Sequence, residues 1–197
     1  MIDRGRFIRE SLEESAATKK AILNSCFDAI SKSVTLIADA LKSDRKVLFC
    51  GNGGSAADSQ HLATEFTIRL NHDLHRKGLP AISLTTDTSA LTAGGNDIGF
   101  ENTYARLVEA LGRSGDVLVA ISTSGKSENI VRAVDKAREQ KMHVVGFLGK
   151  DGGRLKEKCE IPIVIPSENT QRIQEGHITV GHIIAELVEL ELYAADR

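Results

Sequence analysis

His61 and Glu65 stand at i and i+4 in the run Gly51-Asn52-Gly53-Gly54-Ser55-Ala56-Ala57-Asp58-Ser59-Gln60-His61-Leu62-Ala63-Thr64-Glu65-Phe66. On a helix that spacing sets an imidazole and a carboxylate on one face, a pair able to bind a metal or to move a proton. The glycines just before it suit an anion, because backbone N–H groups and the positive end of the helix dipole meet at such a turn. Ser55 and Asp58 are candidate helix caps, and the Ser55 hydroxyl also suits a bound phosphate. A His–Glu pair at helical spacing is ordinarily just solvated. Here Leu62 and Phe66 flank it with apolar surface and an anion loop lies close by, which favours a function.

A second polar loop, Ser122-Thr123-Ser124-Gly125-Lys126-Ser127, has four hydroxyl residues out of six. Capping a helix needs one hydroxyl, so the surplus points to a ligand, and Lys126 adds charge. Near the end of the chain, Thr170-Gln171-Arg172-Ile173-Gln174-Glu175-Gly176-His177 leads into Val180-Gly181-His182-Ile183-Ile184. His182 has Ile183, Ile184, Leu187 and Val188 as neighbours, and an unpaired polar group buried there costs about 1–3 kcal/mol. It therefore needs a carbonyl, a carboxylate or a metal. His177 precedes it by five residues, roughly 140° around a helix, so the two do not share a face.

The elements that must position these groups follow from periodicity. Helices are expected over 3–24 and 26–42, the second with Phe27, Ile30, Val34, Ile37, Ala38 and Leu41 at helical spacing. Short apolar strands are expected at 46–50, 81–84, 116–121, 143–148 and 161–165, the last with a proline that suits a sheet edge. Helices fall between them: from the glycine loop to about Leu70, from Asp87 to near Gly94-Gly95, over 101–111, and from the second loop to about Lys141. Asn96-Asp97 is read as a turn, a short helix over 154–158 is possible, and a last helix runs from about Gln171 to Ala195. Alternating strands and helices predict an α/β fold, an open five-stranded parallel sheet covered on both faces. In such a sheet ligands bind beyond the C-terminal strand ends, which brings the two loops to one edge. The leading helices, residues 1–43, have no sheet of their own and are expected to pack on the core, residues 44–197, and on another subunit.

Composition narrows the classes. The chain has 197 residues, net charge −2, 4% aromatic residues and no Trp, which argues against a nucleic-acid partner. No apolar run is long enough to span a bilayer. Cys26, Cys50 and Cys159 are odd in number and widely spaced, which fits a reducing cytoplasm better than a disulfide framework. A Walker loop fails because position 120 is Ala where Gly is needed. Gly51-x-Gly53-x-x-Ala56 matches the dinucleotide fingerprint only loosely, leaving a nicotinamide enzyme as an outside reading.

Taken in order, Gly51-Asn52-Gly53-Gly54-Ser55, His61-x-x-x-Glu65, Ser122 to Ser127 and Arg172-Ile173-Gln174-Glu175-x-His177 resemble the sugar isomerase (SIS) domain family. Nearly the whole chain is covered, including the leading helices. The resemblance implies a flavodoxin-like three-layer fold. It also implies an aldose–ketose isomerase that converts sedoheptulose 7-phosphate to D-glycero-D-manno-heptose 7-phosphate through an enediol, feeding bacterial heptose synthesis. By the same resemblance Glu65 is the base and His182 the acid. Asn52, Gly53, Gly54, Ser55, Glu65, Arg69, Asn96, Asp97, Ser122, Thr123, Ser124, Ser127 and Gln174 contact substrate. One Zn2+ per subunit falls on His61, Glu65, Gln174 and His182, in a cytoplasmic homotetramer. Gln174 and His182 are eight residues apart, about 12 Å along a regular helix, so the active site is expected at a subunit boundary. The alternative is a non-catalytic relative that binds the bacterial replication initiator, expected to lack the carboxylate and imidazole at positions 65 and 182.

Overall fold

The computed structural model describes residues 2–193. Five parallel strands make one sheet: β1 (Val47–Gly51), β2 (Ala81–Ser83), β3 (Val117–Ser122), β4 (His143–Gly149) and β5 (Ile161–Ile165). Their order is β2-β1-β3-β4-β5. Every residue of β1 and β3 is buried, as a parallel sheet covered on both faces requires. Pro162 lies in the edge strand β5, where a missing N–H is tolerated.

Among the described residues seven α-helices surround the sheet: α1 (Arg4–Ser25), α2 (Phe27–Lys42), α3 (Gly54–Thr67), α4 (Thr88–Asp97), α5 (Phe100–Leu111), α6 (Glu128–Glu139) and α7 (Thr170–Tyr193). The alternation of strand side chains divides the core in two. Phe49, Val119, Ile121 and Phe147 face α2, α3 and α7 in one cluster. Leu48, Leu118, Ala120 and Leu148 face α5 and α6 in the other. In α2 the residues Ile30, Val34, Ile37 and Leu41 are buried, each contributing about 1.5–3 kcal/mol by leaving water. By contrast α1 buries only Thr18 and Ile22. No single helix among the described residues is long and apolar enough to cross a membrane.

The chain leaves β1 towards β2 on one side and β3 towards β4 on the other, so the direction of winding reverses between β1 and β3. Beyond the C-terminal ends of these two strands lies the crevice such sheets use for ligands. The glycine loop and the hydroxyl loop are the connections that leave β1 and β3 there.

Several expected boundaries move for physical reasons. Helix α4 continues through Gly94 and Gly95 to Asp97, so Asn96-Asp97 is helical rather than a turn. A Cβ at Gly94 would press on Thr103 of α5 at 2.7 Å, so that glycine serves close helix packing, not termination. The stop comes at Gly99, whose φ of +84° suits glycine. Helix α3 ends at Thr67, short of Leu70. A 3₁₀ turn over Gly153–Leu155 stands where a short helix over 154–158 was possible. The expected extension of the last helix to Ala195 lies outside the described residues.

Candidate active site

Helix α3 opens at the glycine loop. Gly53 is its N-cap with φ +57°, a conformation that side chains rarely adopt. Neither Ser55 nor Asp58 caps it, contrary to expectation: Ser55 is already helical and buried, and α3 has no side-chain cap at all. Asp58 lies a turn further in, with one buried carboxylate oxygen unpartnered, and burial pushes its pKa up. The strand end is equally tight. A Cβ at Gly51 would strike the Ser55 carbonyl at 2.5 Å, so only glycine lets β1 turn so closely under α3. The Tyr104 hydroxyl, its pKa pushed up to about 12 by burial, stays protonated and donates to the Gly51 carbonyl at 2.8 Å.

The hydroxyl loop partly satisfies itself. Ser122 Oγ accepts from the Gly125 N–H at 3.1 Å and donates to Ser127 Oγ at 3.4 Å. Ser124 Oγ accepts from the Lys126 N–H at 3.2 Å. Thr123, Ser124 and Ser127 are half-buried, and Lys126 pairs with Asp151 at 3.5 Å. The glycine loop is bolted to the start of α6, just past the hydroxyl loop, by Asn52 and Asn129, whose side-chain amides exchange two hydrogen bonds of 2.9 Å.

His61, Glu65 and His182 converge. His61 Nε2 lies 2.7 Å from His182 Nε2, although the residues are 121 apart in sequence. It also lies 3.1 Å from Glu65 Oε1. One ligand atom from each of the three falls within 4.8 Å of the others. Glu65 is the sheltered member, its side chain 14% exposed against 49% for His61. The convergence has a packing cause. A Cβ at Gly181 would meet the Leu62 side chain at 2.6 Å, so α3 and α7 cross closely one residue away from both histidines. Two facing Nε2 atoms need a hydrogen on one of them, or a shared cation. Two imidazoles and a carboxylate are a donor set that suits such an ion.

The other histidine of α7 is the buried one. His177 is 1% exposed and its Nε2–H donates to the Leu148 carbonyl at 2.9 Å. His182, expected from its apolar neighbours to need a polar partner, is half-buried and finds one in His61.

The remaining expected site residues are spread out. Gln174 lies near the start of α7, its amide nitrogen packed against Gly54 at the glycine loop. Since α7 runs as one helix from Thr170 to Tyr193, that is about 12 Å along the axis from His182. Arg69 is exposed and turned to its own loop, donating to the His72 carbonyl at 3.5 Å. Asn96 donates to Asp97 Oδ1 at 2.6 Å. Asp97 lines a cavity of about 250 Å³ between α4 and α5, whose lining includes no residue of either loop. Sequence reasoning missed Asn129, Tyr104 and Gly181. Their partners lie 77 and 53 residues away or across a helix crossing, and no local pattern marks them.

Comparison with known proteins agrees with this geometry. Residues 11–149 match the family model described as the SIS domain. The chain is 50% identical over 189 residues to a phosphoheptose isomerase of Clostridium acetobutylicum, covering 95% of each. It is 48% identical to one of Chlorobaculum tepidum, covering 92% of this chain and 88% of that one. Among solved structures, the phosphoheptose isomerase of Neisseria gonorrhoeae superposes with a TM-score of 0.87 at 41% identity, covering 93% of this chain and 97% of that one. That of Francisella tularensis gives 0.91 at 34% identity, covering 95% and 99%. Near-complete coverage on both sides, at these identities, means that the chain belongs to the SIS domain family, in its phosphoheptose isomerase branch.

Proposed function

We propose that this protein interconverts sedoheptulose 7-phosphate and D-glycero-D-manno-heptose 7-phosphate. One observation supports the reading above the others: Glu65 and His182, remote in sequence, meet in one cluster with His61, about two turns along α3 from the glycine loop. The phosphate fits the N-terminus of α3 with Gly53, Gly54 and Ser55, and the hydroxyls of Ser122, Thr123, Ser124 and Ser127. Asn52 and Gln174 border that cradle. Arg69, Asn96 and Asp97 are assigned to the sugar, with a rearrangement or a neighbouring chain needed to bring them in.

The chemistry is internal to the sugar. The Glu65 carboxylate removes a proton from C1 of the ketose, and that C–H electron pair becomes the enediol double bond. The carbonyl pair moves to O2, which takes a proton from His182. The imidazole then accepts the O1 proton while Glu65 returns its proton to C2, leaving the aldehyde at C1. No electron leaves the substrate, and both side chains end as they began.

Zinc, one ion per subunit, is the proposed metal: His61, Glu65 and His182 would hold it, and because two of these are also the base and the acid, it would have to leave Glu65 and His182 free before they move protons. Gln174, distant from His182 on one helix, serves the substrate in this chain. We assign the working form to a homotetramer. Phe7, Leu12, Leu23 and Phe27 of the leading helices are 62–67% exposed, a surface that another subunit would cover. Ile183, next to His182, lines an apolar groove with Leu23 and Phe27, so a covering subunit would lie against the active site. The three unpaired, buried cysteines suit the cytoplasm.

The test is turnover of sedoheptulose 7-phosphate followed by NMR of the product aldose. Glu65→Gln is expected to lower kcat by about 100- to 10,000-fold with binding retained; undiminished turnover removes Glu65 as the base. An inactive parent that binds the replication initiator tightly selects the non-catalytic alternative. That alternative lacks support here, since both catalytic groups are present and the similar relatives are named isomerases.

A further inference from the structure

Helix α3 ends without a glycine. The residues after Thr67 are Ile68-Arg69-Leu70-Asn71, and the last turn carries no basic side chain of its own. Its carbonyls include that of Glu65, and an uncapped last turn frays. Backbone N–H groups of Ile68 and Leu79 reach the Thr64 and Phe66 carbonyls, and the side-chain cap comes from Arg76, in the loop that follows. Its Nη2 donates to the Glu65 carbonyl at 2.7 Å and its Nη1 to the Phe66 and Lys77 carbonyls at 2.8 and 3.0 Å. The rest of the guanidinium is held by Glu189 of α7, through Nε at 2.7 Å and Nη2 at 2.5 Å. Glu189 also accepts the N–H groups of Leu70 and Asn71, each at 3.0 Å.

The two side chains are 0% and 2% exposed. Every guanidinium nitrogen has a partner and both carboxylate oxygens accept, so the network is complete despite its burial. Its place is informative. Glu189 follows His182 by seven residues, two turns along the same face of α7. The pair thus clamps the turn that carries Glu65 onto the helix that carries His182.

We propose that Arg76 and Glu189 are positioning residues that fix the distance between Glu65 and His182. The proposal deepens the isomerase reading of that site and rests on it. Exchange for apolar side chains removes the buried charges but also strips partners from three carbonyls and two N–H groups, so melting temperature is read beside activity to separate fold from position. The double variant Arg76→Met with Glu189→Leu removes both charges. Beside it stands Arg76→Lys, which keeps a cation opposite Glu189 but cannot reach three carbonyls at once.

Four quantities are read in each variant: melting temperature, kcat and KM for sedoheptulose 7-phosphate, and Zn2+ affinity by competition with a chromophoric chelator. In whichever variant melts near the parent, kcat is expected to fall by about tenfold or more with KM within about twofold, since the phosphate cradle is untouched. Zn2+ affinity is expected to fall by a similar factor. A folded variant with parental kcat and parental Zn2+ affinity overturns the proposal. If the parent binds Zn2+ but does not isomerise the sugar, the isomerase reading fails alone, and the Zn2+ affinities still decide the clamp. A parent that does neither overturns both.

Discussion

His177 and His182 lie on one helix, yet burial gives them different chemistry. His177 Nε2–H donates to the Leu148 carbonyl, which leaves the buried Nδ1 as an unpartnered acceptor. Desolvation holds its pKa down at about 4, against the opposing pull of that hydrogen bond. The consequence for stability has a definite sign. Above a pH of about 6.5 both folded and unfolded chains carry a neutral imidazole. Between there and pH 4 the unfolded chain takes up a proton that the folded one refuses, so stability falls as the pH falls. The loss approaches 3 kcal/mol, roughly, at the acid end. Urea unfolding across this window should show a flatter pH dependence in His177→Gln, whose amide can still donate to Leu148. An unchanged slope would assign the loss to other groups. His61 and Glu65 could be named from residue type and spacing, because i, i+4 geometry is local, whereas the role of His182 came only with the family resemblance. That His182 is half-buried and His177 hidden was not legible, since both sit on one largely apolar helix and only its docking, with His177 on Phe147 and Leu148 of β4 and His182 beside His61 of α3, decides which is covered.

At the scale of elements, five strands and the helices between them follow from periodicity, each within a few residues, because apolar runs and glycine turns act locally. What failed was the meaning of particular residues. Gly94 reads as a stop and is a contact for Thr103. Ser55 reads as a cap and is a buried residue of the first turn. Gly181, which no local pattern marks, lets α7 press close against Leu62 of α3. Gly181→Val tests this: it should push the helices apart, cost about 1–3 kcal/mol in denaturant unfolding and lower kcat by about 10- to 100-fold. A variant with parental kcat would mean that the crossing tolerates displacement without disturbing the pair.

At the scale of the molecule, the sheet reverses its winding between β1 and β3, and both polar loops emerge there. The apolar surplus lies elsewhere, in a groove of about 440 Å³ between α1, α2 and α7 lined by Ile22, Leu23, Phe27, Ile30, Ile183 and Leu187. If this face joins subunits, Leu23→Asp with Phe27→Asp should break the assembly into smaller species by light scattering. Turnover should fall with it, because Ile183 adjoins His182. A double variant with the parental mass and activity would exclude this face from the interface.

The sequence by itself determined the strands, the two ligand loops and the types of the reacting groups, because each depends on neighbours within a turn or two. Tertiary structure alone decided that His61 and Glu65 meet His182 across 121 residues, that Asn52 finds Asn129, and that Arg76 ends α3 against Glu189. Such meetings depend on how closely two helices cross and how two strands lie side by side, and those distances are set by packing over the whole core.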